Sequence, residues 1–235
     1  MHRFFVPPET LRADRVTLGG AQARQIATVL RLRAGDEITL VADGAEAVLV
    51  LEAVRPTSVT AVVRERGFTP AEPTVALTLA LAVLRGDRDE EVVEAVTQLG
   101  VSRIVPFTSS RSVVRTLSEA KRARWERIAR ESAETARRGR VPSIEPARAW
   151  EDLFAALRAP VFVAWESERR LRLREALPQS TRAISLVVGP EGGITDDEIA
   201  LARERGAIAV SLGARNLRSE TAAIAAVALA MDRLA

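Results

Sequence analysis

Residues 184–222 read ISLVVGPEGGITDDEIALARERGAIAVSLGARNLRSETA, and the alternation of apolar and glycine-rich segments in them decides the fold. Two short apolar runs, Ile184–Val188 and Ile208–Leu212, have strand character, with one helix between them. Each run leaves the sheet at a turn that opens onto a helix, so two strand ends lie side by side. In an open α/β sheet the crevice outside the carboxyl ends of the strands is where ligands bind. Gly189–Gly193 and Leu212–Arg218 are therefore the walls of a candidate site.

The same alternation extends outward. Towards the N-terminus it predicts a strand at Val75–Leu84, a helix at Asp89–Leu99 ending at Gly100 and a strand at Arg103–Phe107. A long basic helix at Ser118–Arg138 stops before Pro142, and a strand at Val161–Ala164 and a short helix near Leu171–Leu177 follow. Beyond the central stretch, Glu220–Leu234 is almost wholly Ala, Val, Ile and Leu, so it must be buried or pack on a second subunit. Alternating strands and helices predict an α/β domain, a parallel sheet with helices on both faces. Residues 4–66 read differently. Short strands at Phe4–Val6, Val16–Leu18, Glu37–Val41, Val48–Val54 and Val59–Arg64 surround one helix at Ala21–Leu32, which suggests a small β-barrel. Asp43-Gly44 is a favoured hairpin turn pair. Gly67–Pro73, GFTPAEP, reads as a linker and sets the domains at 1–70 and 74–235.

Composition removes whole classes of chemistry. The 235 residues include no cysteine, no tyrosine and a single histidine, His2. Disulfides, thiolate nucleophiles, a histidine-centred zinc site and a Ser–His–Asp triad are thereby disfavoured, and no metal is expected. Arginine, carboxylate, hydroxyl and backbone remain for chemistry. MHRFFVPPET contains no signal-like apolar core and no run approaches the roughly 20 apolar residues of a membrane span, so a cytoplasmic location without membrane contact is expected. The formal charge of +3 is unevenly spread, because residues 103–148 hold 12 basic and 5 acidic side chains. Such a block suggests a polyanionic partner, although a solvated helix face explains it almost as well.

The motifs narrow the chemistry further. Three glycines and a proline in Gly189–Gly193 permit close backbone approach and positive φ, so the loop can wrap a ligand with its own N–H and C=O groups. A tight strand-to-helix turn without a ligand explains the loop equally well. Thr195 and Glu198 form a T-x-x-E capping box. A phosphate-binding P-loop is excluded because the sole lysine, Lys121, lies inside a helix, and G-x-G-x-x-G follows no strand. An arginine here can steer an anionic or polar substrate group, and a salt bridge to Glu191 or Glu220 explains Arg215 and Arg218 too; the two readings are compatible. Asp87-Arg88-Asp89 sits at another strand end, where its charges are expected to face the same crevice, although acids also suit a solvated helix N-terminus.

Together these segments resemble a known family. Arg3–Phe5 (RFF), Val29–Arg31 (VLR), Arg85–Arg88 (RGDR), Gln98–Val101 (QLGV), Arg124-Trp125, Gly189–Gly193 (GPEGG) and Leu212–Ala222 (LGARNLRSETA) are similar, in order and spacing, to the ribosomal RNA small subunit methyltransferase E family. The resemblance spans nearly the whole chain, and its last two motifs are the specific ones. Departures from the family pattern fall at Arg24, Gln25, Arg85, Thr135 and Arg137.

The resemblance implies an N-terminal PUA-like RNA-binding β-barrel and a C-terminal SPOUT domain whose last part is a trefoil knot. It also implies S-adenosyl-L-methionine as cofactor, a homodimer, and N3 of a uridine in 16S rRNA of the small ribosomal subunit as acceptor. On that reading the cofactor lies against Val188, Gly189, Pro190 and Gly193, against Leu212, Gly213, Arg215, Asn216 and Leu217, and against Ala164, Trp165 and Glu166. Gly189 and Gly213 are expected to tolerate no β-carbon, because a methyl group would occupy ligand volume. Methylating C5 of a pyrimidine ordinarily needs a cysteine nucleophile, which this chain lacks, so a heteroatom acceptor survives the test independently. Arg218 is the candidate for stabilising the uracil anion, and Glu191 for accepting a proton or clamping the site. Arg111, Arg115, Arg122, Arg137, Arg138 and Arg140 are expected to hold rRNA phosphates, with Arg85 and Arg88 at a strand end and Arg3 and Arg31 on the barrel. Two alternatives stay open here: another RNA methyltransferase of the same fold with a tRNA or ribose 2′-hydroxyl target, and a noncatalytic RNA-binding ribosome-assembly factor.

Overall fold

The period-two patterns of the first 70 residues become five strands in the computed structural model, which describes residues 1–234. They are β1 (His2–Phe5), β2 (Arg15–Gly19), β3 (Glu37–Ala42), β4 (Ala45–Arg55) and β5 (Ser58–Phe68), in the order β1-β3-β4-β5-β2. Only β1 and β3 pair in parallel. Alternate residues, among them Phe4, Val16, Leu18, Ile38, Leu40, Leu49 and Leu51, point into one buried core. A short helix α1 (Gly20–Arg24) runs on as a π-type turn over Gln25–Val29 and adds Ala23 and Ile26 to that core. Asp43 and Gly44 both adopt positive φ, 49° and 87°, the geometry of a hairpin turn whose twist matches its strands. Gly67 and Phe68, read from sequence as linker, instead pair with Glu46 and Ala45 and finish β5. This unit comprises Met1–Glu72 and also Ala133–Arg140.

The second unit is built from β6 (Ala76–Ala82), α2 (Arg88–Gln98), β7 (Arg103–Thr108), α3 (Glu119–Thr135), β8 (Ser143–Ile144), β9 (Arg148–Ala149), α4 (Trp150–Leu153), β10 (Val161–Ala164), α5 (Leu173–Ala176), β11 (Ala183–Val188), α6 (Asp196–Glu204), β12 (Ile208–Val210) and α7 (Ser219–Leu234). The last three residues of α3 fall in the first unit. Its strands form one parallel sheet in the order β12-β10-β11-β6-β7-β8, with β9 also on β7. The chain steps outward from β6 to β7 and β8, then returns to the other side for β10, β11 and β12. Strand parity distributes the core. Leu77, Leu79 and Leu81 face a cluster with α2, α3 and α7, whereas Ala80, Ala82 and Leu84 face one with Trp150 and α6. The expected α/β architecture is therefore present, a parallel sheet with helices on both faces.

Two helix ends show how local chemistry sets boundaries. At the end of α2, Gly100 has φ 104°, and a β-carbon there would lie 2.6 Å from both Met231 Cε and Pro73 Cγ. Only glycine fits such a cap against the packing of α7. The basic helix ends at Thr135, three residues before the expected Arg138. Arg137 takes φ 56° and Arg138 N donates to Ala133 O at 2.9 Å, which closes the last turn. Helix α7 buries Ser219, Ala223, Ala226, Val227, Ala230 and Met231, and no helix among the described residues is long and apolar enough to cross a membrane.

Candidate functional site

Ala164 pairs in register with Val188 on one side and Val210 on the other, so β10, β11 and β12 end at one level. The loops leaving them enclose a cleft of about 650 Å³, within the range of roughly 300–1,000 Å³ usual for small-molecule sites. Ala164, Trp165 and Glu166 form one wall, Val188 to Ile194 a second and Ser211 to Ser219 a third. All twelve residues assigned to a cofactor, together with Glu191 and Arg218, line this one space. Arg88 also lines it, as do Arg169 and Ser211, which sequence reading passed over. Arg169 lies just past the end of β10, where the rule that selected Ala164–Glu166 would have found it had the loop been followed further.

The glycines differ in purpose. Gly213 has φ 121°, and a β-carbon there would meet no atom within 4 Å, so it would project into open space beside the cleft. Gly189 behaves otherwise, and its expected role is corrected. Its β-carbon would lie 2.6 Å from Ile194 Cγ1, so packing of the loop on itself excludes a side chain, not ligand volume. Gly193, at φ 76°, lies so close to the Glu166 carboxylate that a β-carbon would collide with it.

The glycine loop is held from several sides. Glu191 Oε1 accepts the N–H of Arg85 at 3.2 Å, Arg111 Nη1 donates to Gly192 O at 3.1 Å, and Trp165 Nε1 donates to Ile194 O at 3.2 Å. The Arg203 guanidinium stands 5.5 Å over the Trp165 ring, a cation–π contact. The expected capping box is present: Thr195 Oγ1 accepts from Glu198 N at 3.2 Å, and Glu198 Oε2 accepts from Thr195 N at 2.9 Å. Glu198 Oε1 also accepts from Ser110 N at 2.8 Å. Burial raises the Glu198 pKa, but the N–H donors of Ser110 and Thr195 outweigh it and hold the carboxyl below its usual range.

Arg215 and Arg218 are exposed on the cleft wall, and among the described residues neither has an ion-pair partner. Salt bridges to Glu191 or Glu220 are thus not what the structure holds. Asp89 does not face the crevice. It is fully buried and binds Lys121 Nζ through Oδ2 at 2.7 Å, while Lys121 also donates to Gly86 O at 2.8 Å. Burial pushes the Asp89 carboxyl above the usual carboxylate range, with Lys121 opposing. The only lysine therefore secures the loop that carries Arg85 and Arg88.

The arginines assigned to phosphate prove unequal. Arg138 is 2% exposed and makes a two-point ion pair with Glu72, Nε to Oε1 at 3.1 Å and Nη2 to Oε2 at 3.2 Å, so the expectation that it binds RNA is corrected. Arg3 is corrected likewise, because its Nη2 bonds Glu46 Oε2 at 2.7 Å and Thr69 Oγ1 at 3.1 Å from an 11% exposed side chain. Burial raises the Glu46 carboxyl pKa, but Arg3 and Thr69 together hold it below its usual range. Arg122 pairs with Glu126 along its own helix at 2.8 Å, and Arg115 donates to the carbonyls of Ser109 and Ser110. Arg31, Arg85, Arg88, Arg111, Arg115, Arg137 and Arg140 remain exposed. Among the described residues no group of three or more histidine, aspartate or glutamate side chains could hold a metal ion.

Comparison with known proteins identifies the family. An RNA methyltransferase domain model matches residues 70–231. The ribosomal RNA small subunit methyltransferase E of Synechocystis sp. is 34% identical over 232 residues, covering 97% of this chain and 76% of the relative. The Bacillus subtilis protein of that name is 29% identical, covering 97% and 94%. A crystal structure of the Neisseria gonorrhoeae protein of that name, bound to S-adenosyl methionine, superposes with a TM-score of 0.89 at 30% identity, covering 97% of this chain and 95% of that one. With 97% of its length covered by these relatives, the chain belongs to the ribosomal RNA small subunit methyltransferase E family of RNA methyltransferases.

Proposed function

We propose that this protein uses S-adenosylmethionine to methylate N3 of a specific uridine in 16S rRNA of the small ribosomal subunit. The cleft at the ends of β10, β11 and β12 carries the reading, because it gathers every residue assigned to cofactor and chemistry into one space of suitable size. The residues fit the cofactor. Gly213 presents backbone without a side chain to open space, and the loops 189–193 and 212–217 offer N–H and C=O groups for its polar edges. Buried Val188 and half-buried Ala164 supply an apolar floor that keeps water from the reacting atoms. Bound there, S-adenosylmethionine supplies an electrophilic methyl on its sulfonium.

The chain then has two tasks, alignment of the acceptor and stabilisation of the deprotonated imide. Arg218 suits the second, since it is exposed on the cleft wall and has no carboxylate partner among the described residues. Glu191 suits the clamp role more than proton acceptance, because one of its oxygens already binds Arg85 N–H. The first unit, expected to span only residues 1–70 but joined by Ala133–Arg140, serves as a PUA-like RNA-binding barrel, and the second as a SPOUT domain with a trefoil knot. Homodimerisation uses the less buried face of α7, where Leu229 is 39% exposed. RNA phosphates meet Arg31, Arg85, Arg88, Arg111, Arg137 and Arg140.

Small subunits lacking modification, incubated with the protein and methyl-labelled S-adenosylmethionine, provide the test. Nuclease digestion and mass spectrometry should yield labelled 3-methyluridine from one site in 16S rRNA. Label in a ribose 2′-hydroxyl, or none at all, would contradict the proposal.

A further inference from the structure

Among the described residues Phe68 is the most exposed large apolar side chain, at 84%, in a chain with only six phenylalanines and no tyrosine. It ends β5 beside Ala45, next to the Asp43-Gly44 turn. The turn is bound to a second segment of the same unit, Arg137–Arg140. Gly44 N donates to Gly139 O at 2.8 Å, Thr69 N donates to Gly44 O at 2.8 Å, and Arg140 Nη2 donates to Asp43 O at 3.4 Å. The approach is close enough that a β-carbon on Gly139 would lie 2.8 Å from Gly44 Cα and 2.9 Å from Thr69 Cβ. Glu72 locks this segment in place by holding the Arg138 guanidinium and accepting Gly139 N–H at 2.9 Å. The buried arginine is thus the rivet of a segment whose exposed Arg137 and Arg140 flank it, and that segment packs at Gly139 against Thr69, the residue after Phe68.

We infer that Phe68 is a stacking platform for one unpaired base of single-stranded RNA, with Arg137 and Arg140 holding the adjoining phosphates. The inference rests on the proposed action on RNA and names where a single strand is gripped. An exposed aromatic face beside cations is the arrangement that binds unpaired nucleotides, because every base has a π face and every nucleotide a negative charge. The segment joined to this turn carries two exposed cations and the turn one carboxylate, Asp43, so the surface favours a polyanion over a second copy of this basic chain. A stacking role accounts for a phenylalanine left in water, which core formation does not.

Fluorescence anisotropy of a labelled single-stranded uridine oligomer with the full chain tests this surface. Phe68→Leu should weaken binding by about 5- to 100-fold, and Phe68→Trp should retain it. With a wholly abasic ribose-phosphate oligomer, wild type and Phe68→Leu should bind alike, since no base remains to stack. Arg137→Ala/Arg140→Ala should weaken both oligomers and flatten the log–log salt slope by about 1.4, or roughly 0.7 per lost phosphate contact. Phe68→Leu binding the uridine oligomer as wild type does would overturn the platform and leave the proposed methyl transfer standing. A wild type that binds no RNA would overturn both. Loss of dimer mass by light scattering in Phe68→Leu, with RNA affinity intact, would show instead that a second copy covers this residue.

Discussion

The cleft loops and the basic block at 103–148 both look charged and functional in sequence, yet the structure uses their charges in opposite ways. In the cleft, Arg215 and Arg218 are exposed and, among the described residues, have no carboxylate partner. In the basic block, Arg103 meets Glu145, Lys121 meets Asp89, Arg122 meets Glu126, Arg124 meets Glu90 and Arg138 meets Glu72. A surplus of seven positive charges there is consequently much less than a seven-charge footprint. Counting charges identifies a candidate polyanion surface, but the partners decide which charges can reach one.

The strongest way to break this comparison is to remove a cation that it calls structural. Arg138→Ala leaves the Glu72 carboxylate without its guanidinium, and the loss of one partner from a buried pair costs about 3–5 kcal/mol. The neighbouring exposed Arg137→Ala should change stability by no more than about 0.5 kcal/mol. Urea denaturation of the two variants should separate them clearly. Equal midpoints would place Arg138 among the surface charges after all.

On the cleft side, Arg218→Ala should lower kcat about 10²–10³-fold, as for loss of one group that stabilises developing charge. S-adenosylmethionine affinity, measured by calorimetry, should stay within about twofold of wild type, or under 0.5 kcal/mol. A loss of cofactor binding equal to the loss of rate would make Arg218 a binding residue instead.

Glu198 sharpens the comparison, being a charge in neither class. It caps α6 and ties Ser110 to it, so Glu198→Gln should cost about 1–3 kcal/mol at neutral pH. Because its folded-state pKa is depressed, this stabilisation is full above the unfolded carboxylate pKa and is lost as pH falls through the folded one. Wild type and Glu198→Gln should therefore converge in acid, and a stability gap that widens on acidification would refute the assignment.

The two regions were also unequally legible. Residues 184–222 could be read because their signals are local: apolar runs of strand length, glycines at the turns, and the Thr195–Glu198 box only three residues apart. The rule that ligands sit at strand ends then needed no long-range information. Arg138 was misread because its partner Glu72 is 66 residues away, and Arg3 because Glu46 is 43 away. Nothing in the local pattern distinguishes a riveted arginine from a free one. Strands β8 and β9, two residues each, lack enough length for any periodicity, and Gly67-Phe68 carries a linker's composition while completing a strand. Gly189 was chosen correctly as intolerant but for the wrong contact, since the proximity of Ile194 depends on how the loop folds back.

The most direct test of the account is calorimetric titration of S-adenosylmethionine into wild type, Gly213→Val and Arg137→Ala/Arg140→Ala. A valine at φ 121° would both strain the backbone and project into the space assigned to the ligand, so Gly213→Val should bind at least about tenfold more weakly, a difference near 1.4 kcal/mol. The double arginine variant should bind as wild type does. Wild-type affinity in Gly213→Val, or lost affinity in the arginine variant, would contradict the division of this molecule into a cofactor cleft and a separate basic surface.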